Sequence, residues 1–223
     1  MNQPDRIRLY GHPFSSYTWK VQIALGAAEV PYEFCILDED HPENGAFVAA
    51  HGGPLAKFPV LAKGEDVIFE SSSIIDYINN RFSPPIPLIP SDTEAAVGIR
   101  MLDRVFDNYV MTPMQDVVGE YLRSPDSPDA ARCAEARQRL RRSYAWLEAW
   151  LPWYHRAPDL ITLVECAAAP SLFYADWVEP IGDEFPALKA WRAQLLALPP
   201  VSACVEAARP YRAGFPLGAP DRD

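Results

Sequence analysis

Short apolar runs alternate with helix-spaced apolar residues in the first third of the chain. Residues 7–10 predict a short strand, and residues 32–37, which are β-rich and aromatic, predict a second. Between them, Ser15-Ser16 open a predicted helix that carries Val21, Ile23, Ala24, Leu25 and Ala28. A weaker helical segment is predicted over residues 43–50.

A β-hairpin is predicted next. Pro59 heads an apolar run that ends at Ala62, residues 67–69 form the second run, and Lys63–Asp66 form a polar turn between them. The hairpin leads into Glu70–Ser73, a serine-rich helix start. The helix carries Ile74, Ile75, Ile78 and Phe82 at helical spacing.

This order of elements predicts a thioredoxin-like domain over residues 1–82. A strand–helix–strand unit implies a parallel pair of strands with a right-handed crossover, and the hairpin adds antiparallel neighbours. A mixed four-stranded sheet with helices on its faces follows. The redox cysteines of thioredoxin are missing from this sequence.

The rest of the chain reads as helical. Residues 83–91 are rich in proline and predict a semi-rigid linker, and residues 92–223 predict an all-helical domain. We expect Pro113 to kink or end its first long helix. Thr162 and Glu165 match a capping box before a helix that is apolar on every side and should therefore be buried. Residues after Arg209 are expected to be loose.

Composition narrows the class of function. The formal net charge of −10 argues against nucleic acid and anionic membranes as partners, and the arginines between residues 137 and 142 are interpreted as a solvated helix face. We find neither a signal-like N-terminus nor an apolar stretch of membrane-spanning length. The four cysteines and four histidines are scattered, which predicts a reduced, cytoplasmic protein without a metal.

The helix start at Glu70–Ser73 is a candidate binding site. Its backbone N–H groups, hydroxyl groups and positive dipole could bind a carboxylate. The alternative is ordinary capping, because Ser73 and Asp76 have the spacing of a short-acid capping box.

The whole chain resembles the soluble, cytosolic glutathione transferase family. The resemblance is carried, in order, by the Ser15-Ser16 helix start, Lys57-Phe58-Pro59, Glu70-Ser71, the proline-rich linker and the Thr162/Glu165 box. Residues 15–21, SSYTWKV, look most like the serine-using zeta-like branch.

The resemblance implies how glutathione is bound. Ser15 matches the serine that faces the glutathione sulfur, and Pro59 matches a cis-proline whose preceding residue, Phe58, pairs its backbone with the cysteinyl unit. Glu70-Ser71 matches the acid–serine pair that holds the γ-glutamyl end. Lys57 falls where some members approach the glycyl carboxylate.

A serine can activate a thiol by donating a hydrogen bond to the thiolate. Lowering a thiol pKa by two units needs about 2.7 kcal/mol, and a hydrogen bond to a charged group supplies roughly 1.5–3 kcal/mol. Residues 16–19 contain no acid that would weaken the helix dipole beside Ser15. Capping by Ser15 or Ser16 is the structural alternative, and Tyr10 is the rival partner for the sulfur.

The chain departs from the family pattern at several positions. Tyr17 stands where the zeta motif usually has cysteine, and Gly53 stands where members commonly have asparagine. Trp177 falls where zeta isomerases place an arginine, which weakens the case for a dicarboxylate substrate. The acidic run Asp38–Asp40 would oppose the glycyl carboxylate unless it points to solvent.

The resemblance implies a glutathione transferase that attacks a small hydrophobic electrophile and forms a homodimer. Glutathione is then a co-substrate, and the second substrate would lie near Tyr109, Met111 and Met114. The alternatives are another glutathione-dependent enzyme (an isomerase of the maleylacetoacetate type, a dehalogenase or a peroxidase) and a non-catalytic binding protein with the same fold.

Overall fold

The strands near the N-terminus form a single mixed sheet. The computed structural model describes residues 6–154, 157 and 159–223. The strands are β1 (Arg8–Gly11), β2 (Glu33–Ile36), β3 (Val60–Lys63) and β4 (Asp66–Phe69), in the order β2-β1-β3-β4. β1 is parallel to β2 and antiparallel to β3, which is antiparallel to β4. The predicted thioredoxin-like sheet is confirmed.

Helices cover both faces of this sheet. They are α1 (Ser16–Ala27), α2 (Pro42–His51) and α3 (Ser71–Phe82). On one face, Tyr10, Val60 and Ala62 form a buried cluster with Val48 of α2 and with Cys35. Because side chains alternate along a strand, Leu9 and Leu61 point to the other face, where α3 packs against β3 and against α1.

The hairpin turn is tighter than the sequence predicted. Lys63 and Asp66 pair with each other across the strands, so the turn consists of Gly64 and Glu65 alone. Because Lys63 and Asp66 are polar, the sequence assigned them to the turn and not to the paired strands. Gly64 has a φ of 59°, the left-handed conformation that two-residue hairpin turns require and that glycine adopts without strain.

Contacts divide the described chain into two compact units. The first comprises the described residues up to Ile99 together with Ile161–Cys166, and the second comprises the remaining described residues. The predicted domain limits of 1–82, 83–91 and 92–223 stay a prediction. In the first unit the proline-rich segment is anchored, since Leu88 and Ile89 are buried and the carbonyl of Leu88 accepts a hydrogen bond from Leu163 N–H at 2.9 Å.

Helices dominate the remaining part of the described chain. They are α4 (Thr93–Val105), α5 (Thr112–Arg123), α6 (Ala130–Trp150), α7 (Leu163–Val178), α8 (Pro186–Ala197) and α9 (Pro199–Ala208). Every residue of α7 is buried, as its apolar sequence predicted. The capping box is also present: the Glu165 carboxylate accepts hydrogen bonds from the Thr162 N–H at 2.8 Å and hydroxyl at 2.6 Å. None of the described helices is both long and apolar enough to cross a membrane.

Pro113 does not end the helical path of the chain, so of the two predicted effects, a kink or an end, the kink stays a prediction. A π-helical segment, Phe106–Met111, connects α4 to α5. Proline removes the hydrogen bond to the carbonyl four residues earlier, which belongs to Tyr109. That carbonyl instead accepts a hydrogen bond from the Ser143 hydroxyl of α6 at 2.6 Å. The side chain of a neighbouring helix therefore satisfies the acceptor that the proline leaves unpaired.

The arginines of α6 are exposed or partly exposed, in keeping with a solvated face, and they include ion-paired residues: Arg139 contacts Asp116 at 2.5 Å, and Arg141 contacts Glu179. One expectation for the second unit needs correction, because the segment after Arg209 is not loose. Asp223 forms an ion pair with Arg209 at 2.6 Å, and Phe215 is buried.

Candidate active site

The sheet register brings the predicted glutathione-binding segments to one end. Tyr10 pairs with Val60, and Val60 pairs with Phe69. The loop after β1 leads to Ser15, Pro59 directly precedes Val60, and Glu70 directly follows Phe69. Because these neighbours share one row of the sheet, the residues beyond them lie at the same end. Segments far apart in sequence are thus assembled into one candidate site.

Ser15 is the N-cap of α1. Its backbone is extended, with φ −99° and ψ 121°, and its Oγ accepts a hydrogen bond from Thr18 N–H at 3.3 Å. The hydroxyl proton is not used in that bond, so capping and donation to a ligand are compatible. The first turn of α1 contains no acidic residue. Ser16 lies inside the helix and is buried, whereas Ser15 is half-buried, which makes Ser15 the more accessible member of the pair.

Tyr10 packs in the sheet core. It is buried, and its ring stacks on Phe47 with centroids 4.2 Å apart. Burial raises the pKa of the Tyr10 hydroxyl, and the neighbouring Cys35 adds to that shift. These features favour the packing interpretation of Tyr10 over a role at the sulfur.

The segment before β3 is held by a close backbone approach. The peptide bond between Phe58 and Pro59 is cis, as the resemblance implies. Lys57 N–H donates a hydrogen bond to the Gly52 carbonyl at 2.8 Å. A Cβ atom at Gly52 would lie only 2.4 Å from the Lys57 carbonyl oxygen, so a glycine is required there. Lys57 and Phe58 are exposed and Pro59 is buried.

The start of α3 differs from the predicted capping box. The N-cap is Glu70, which has φ 69° and ψ 112° and makes no side-chain capping bond. The helix begins at Ser71, so Ser73 lies inside the first turn and cannot be the N-cap. The backbone carbonyl of Glu70 accepts from Ile74 N–H at 2.9 Å. The exposed Glu70 carboxylate is therefore not used by its own helix, while Ser71 is buried.

The acidic run Asp38–Asp40 is solvent-exposed. It also lies at this end of the sheet, because Leu37 N–H donates to the Gly11 carbonyl at 2.9 Å. The Asp38 carboxylate contacts His41 Nδ1 at 2.7 Å. This hydrogen bond lowers the pKa of Asp38 and raises the pKa of His41. The run points to solvent, which was the condition for it not to oppose an anion.

The residues expected near the second substrate have different surroundings. Tyr109 is 61% exposed, whereas Met111 and Met114 are buried. Of these three, Tyr109 is the one that presents side-chain surface. Their common role in a substrate pocket stays a prediction.

Trp177 occupies the position where the resemblance places an arginine in isomerases. It is buried among aromatic rings, with centroids 4.7 Å from Phe173 and 5.1 Å from Phe215. The guanidinium of Arg212 lies 5.3 Å from the Trp177 ring, and that arginine forms an ion pair with Asp223.

Sequence reasoning missed Lys20. This residue is 1% exposed, and its Nζ donates a hydrogen bond to Ser72 Oγ at 2.9 Å. The available signal was its spacing, since Lys20 lies one helical turn after Ser16 and so shares a face with it.

No cluster of three or more metal-ligand side chains occurs in the described ranges.

Comparison with known proteins identifies the family. Residues 9–85 match the family model of the glutathione S-transferase N-terminal domain, and residues 110–199 match that of the C-terminal domain. Together these matches span most of the chain, which belongs to the glutathione S-transferase family.

Individual relatives are similar over most of their length. "Glutathione S-transferase 1" of Dianthus caryophyllus is 26% identical over 197 residues, covering 85% of this chain and 86% of the relative. "Glutathione S-transferase F6" of Arabidopsis thaliana is 28% identical, covering 86% and 96%. The crystal structure of a Methylobacterium radiotolerans glutathione S-transferase in complex with glutathione sulfonate has a TM-score of 0.73 and 26% identity, covering 90% and 94%. These relatives do not establish the zeta-like branch.

Proposed function

We propose that this glutathione S-transferase activates the thiol of glutathione with a hydrogen bond from Ser15 and transfers the sulfur to a small hydrophobic electrophile. The single observation that carries the proposal is the position of Ser15. It caps the acid-free N-terminus of α1, at the sheet end where Pro59 and Glu70 also lie.

A hydrogen bond from the Ser15 hydroxyl is strong enough to lower the pKa of the glutathione thiol. A thiol with an ordinary pKa of about 8.5 is only a few per cent ionised at neutral pH, and the thiolate is the reactive form. A hydrogen bond to the thiolate contributes roughly 1.5–3 kcal/mol, and the N-terminus of α1 adds about 0.3–1 kcal/mol. Together these lower the thiol pKa by one to two units or more, since each unit corresponds to about 1.36 kcal/mol.

The remaining groups bind the rest of glutathione in this proposal. The Phe58 backbone pairs with the cysteinyl unit, Glu70 binds the γ-glutamyl ammonium group, and Ser71 binds its carboxylate at the start of α3. Lys57 is exposed, as a partner for the glycyl carboxylate must be. A relative crystallised with glutathione sulfonate supports glutathione as the co-substrate.

The electrophile pocket is proposed near Tyr109, Met111 and Met114. Membership of the serine-using zeta-like branch is proposed only on the motif of residues 15–21. An isomerase acting on a dicarboxylate is not favoured, because the buried Trp177 replaces the cation that such a substrate needs. We also propose that the protein is cytoplasmic and forms a homodimer. Light scattering at micromolar concentration would test the dimer.

The test of Ser15 is a thiol titration. We expect Ser15→Ala to raise the pKa of the bound thiol by about one to two units, because the hydrogen bond to the thiolate is lost. Activity toward a model electrophile at pH 7 should fall by roughly ten- to a hundredfold and recover in part as pH rises. The thiolate absorbance of the enzyme–glutathione complex, measured against pH, gives the pKa directly.

Matched variants identify the residue responsible. Ser16→Ala should leave the thiol titration unchanged, because Ser16 is buried inside α1, and Tyr10→Phe should leave it unchanged as well. A wild-type titration curve for Ser15→Ala, with a shift in either control, would assign thiol activation to another hydroxyl.

A further inference from the structure

A buried lysine connects the two helix starts of the candidate site. Lys20 is 1% exposed, although lysine is almost never fully buried unless its ammonium group is paired. Its Nζ donates a hydrogen bond of 2.9 Å to the Oγ of Ser72, which directly follows Ser71 in α3. The ammonium group therefore lies within hydrogen-bonding distance of the first turn of α3.

This hydrogen bond links the two ends of the proposed glutathione site. Ser15 caps α1, and Lys20 belongs to the same helix. Ser71, which begins α3, is proposed to bind the γ-glutamyl carboxylate. The Lys20–Ser72 bond thus joins the helix that presents the thiol-activating hydroxyl to the helix that presents the carboxylate-binding N–H groups.

We propose that Lys20 is a positioning residue for glutathione: through Ser72 it fixes the start of α3 relative to the start of α1, so that the γ-glutamyl carboxylate and the thiol are held at a set separation. This inference rests on the proposed function. It assigns Lys20 no contact with the reacting sulfur.

The test is a double-mutant cycle with glutathione as the probe. Lys20→Met keeps most of the length of the side chain and removes the donor, and Ser72→Ala removes the acceptor. We expect each variant to raise the Kd for glutathione by about tenfold, the effect of losing a hydrogen bond to a charged group. The double variant should bind glutathione more tightly than the sum of the two single effects predicts, because both changes break the shared Lys20–Ser72 hydrogen bond. Calorimetric titration measures all four proteins.

A further readout separates positioning from mere stability. The KM for glutathione should rise with the Kd, while kcat at saturating glutathione changes less and the thiol pKa follows wild type. Lys20→Arg should restore much of the affinity. Ile23→Ala is the control, because Ile23 is buried in α1 and its truncation lowers stability without touching Ser72. We expect its Kd to equal that of the wild type.

Additive effects of Lys20→Met and Ser72→Ala, or a wild-type Kd in either variant, would overturn the inference. If Lys20→Met does not fold, Ser72→Ala and Lys20→Arg decide the question. If wild type binds glutathione and Ser15→Ala shifts the thiol pKa while the Lys20 and Ser72 variants bind normally, only this inference fails. If the wild type does not bind glutathione, the proposed function fails and this inference fails with it.

Discussion

The helix starts of α1 and α3 lie at the same end of the sheet but are built differently. At α1 the N-cap side chain serves its own helix, since Ser15 Oγ accepts from Thr18 N–H. At α3 the N-cap is Glu70, which has a positive φ of 69° and makes no side-chain capping bond. A non-glycine residue in such a conformation costs about 1–3 kcal/mol, and strain of this kind is concentrated at functional sites.

The difference favours separate roles for the two helix starts. A capping serine keeps its hydroxyl proton available and is fixed in place by its own helix, which suits donation to a thiolate. The unused carboxylate of Glu70 is exposed, which suits a ligand carrying an ammonium group. The start of α1 is thus capped by its own side chain, whereas the start of α3 leaves the Glu70 carboxylate for a ligand.

The largest effect should come from removing the Glu70 carboxylate. We expect Glu70→Ala to weaken glutathione binding by about 1.5–3 kcal/mol, the worth of a hydrogen bond to a charged group. Folding stability should change by only about 0.3–1 kcal/mol, because the acid is exposed at a helix start. Glu65→Ala is the matched control, since it removes another exposed carboxylate at the hairpin turn. Equal affinity for glutathione in the Glu70→Ala and Glu65→Ala variants would show that Glu70 has only a structural role.

A smaller effect should come from the backbone of the same residue. Glu70→Gly and Glu70→Ala remove the same carboxylate, so they should bind glutathione equally weakly. Glycine adopts a positive φ without the steric cost of a Cβ atom, so we expect Glu70→Gly to be more stable than Glu70→Ala by about 1 kcal/mol. Urea denaturation measures the difference. Ala56→Gly, at a φ of 47°, is a second site for the same comparison. An alanine variant as stable as the glycine variant would show that the strain is absent in solution.

Local patterns were enough to predict most of the first unit. Apolar runs predicted the strands, and Ser15-Ser16 predicted the start of α1, because both depend on neighbours in sequence. The width of the hairpin turn depends on pairing between Lys63 and Asp66 across the strands, which the polar composition of the turn concealed.

Interactions between distant residues explain what the sequence did not show. The chain stays helical at Pro113, and Ser143, on another helix, donates to the Tyr109 carbonyl that the proline cannot bond. Lys20 is buried, and its Nζ donates a hydrogen bond to Ser72, a residue of another helix. Helical spacing can place Lys20 on the same face as Ser16, but the partner in each contact lies on another helix and can be identified only from the folded structure.

The smallest expected effect is a pH dependence confined to the start of α1. The Ser15 N–H donates to the His12 carbonyl at 3.0 Å, and the Phe14 N–H donates to His12 Nδ1 at 3.1 Å. Burial lowers the pKa of His12, against an opposing effect of Asp38. Because the folded-state pKa lies below the ordinary value of about 6.5, the contribution of neutral His12 to stability is present above that pH. It is lost as pH falls through the folded-state pKa.

Histidine NMR titration tests this directly. We expect a His12 midpoint below about 6.5 and a His41 midpoint above it, since Asp38 raises the pKa of His41. As pH falls, the amides of Phe14 and Ser15 should lose protection from hydrogen exchange relative to the amide of Ile74. The Ile74 N–H donates to the Glu70 carbonyl at the start of α3. His12→Asn keeps an acceptor for Phe14 but cannot titrate, so its α1 start should be insensitive to acid. A His12 midpoint at or above the ordinary value would mean that a charged imidazole is tolerated there, and that acid does not distinguish the two helix starts.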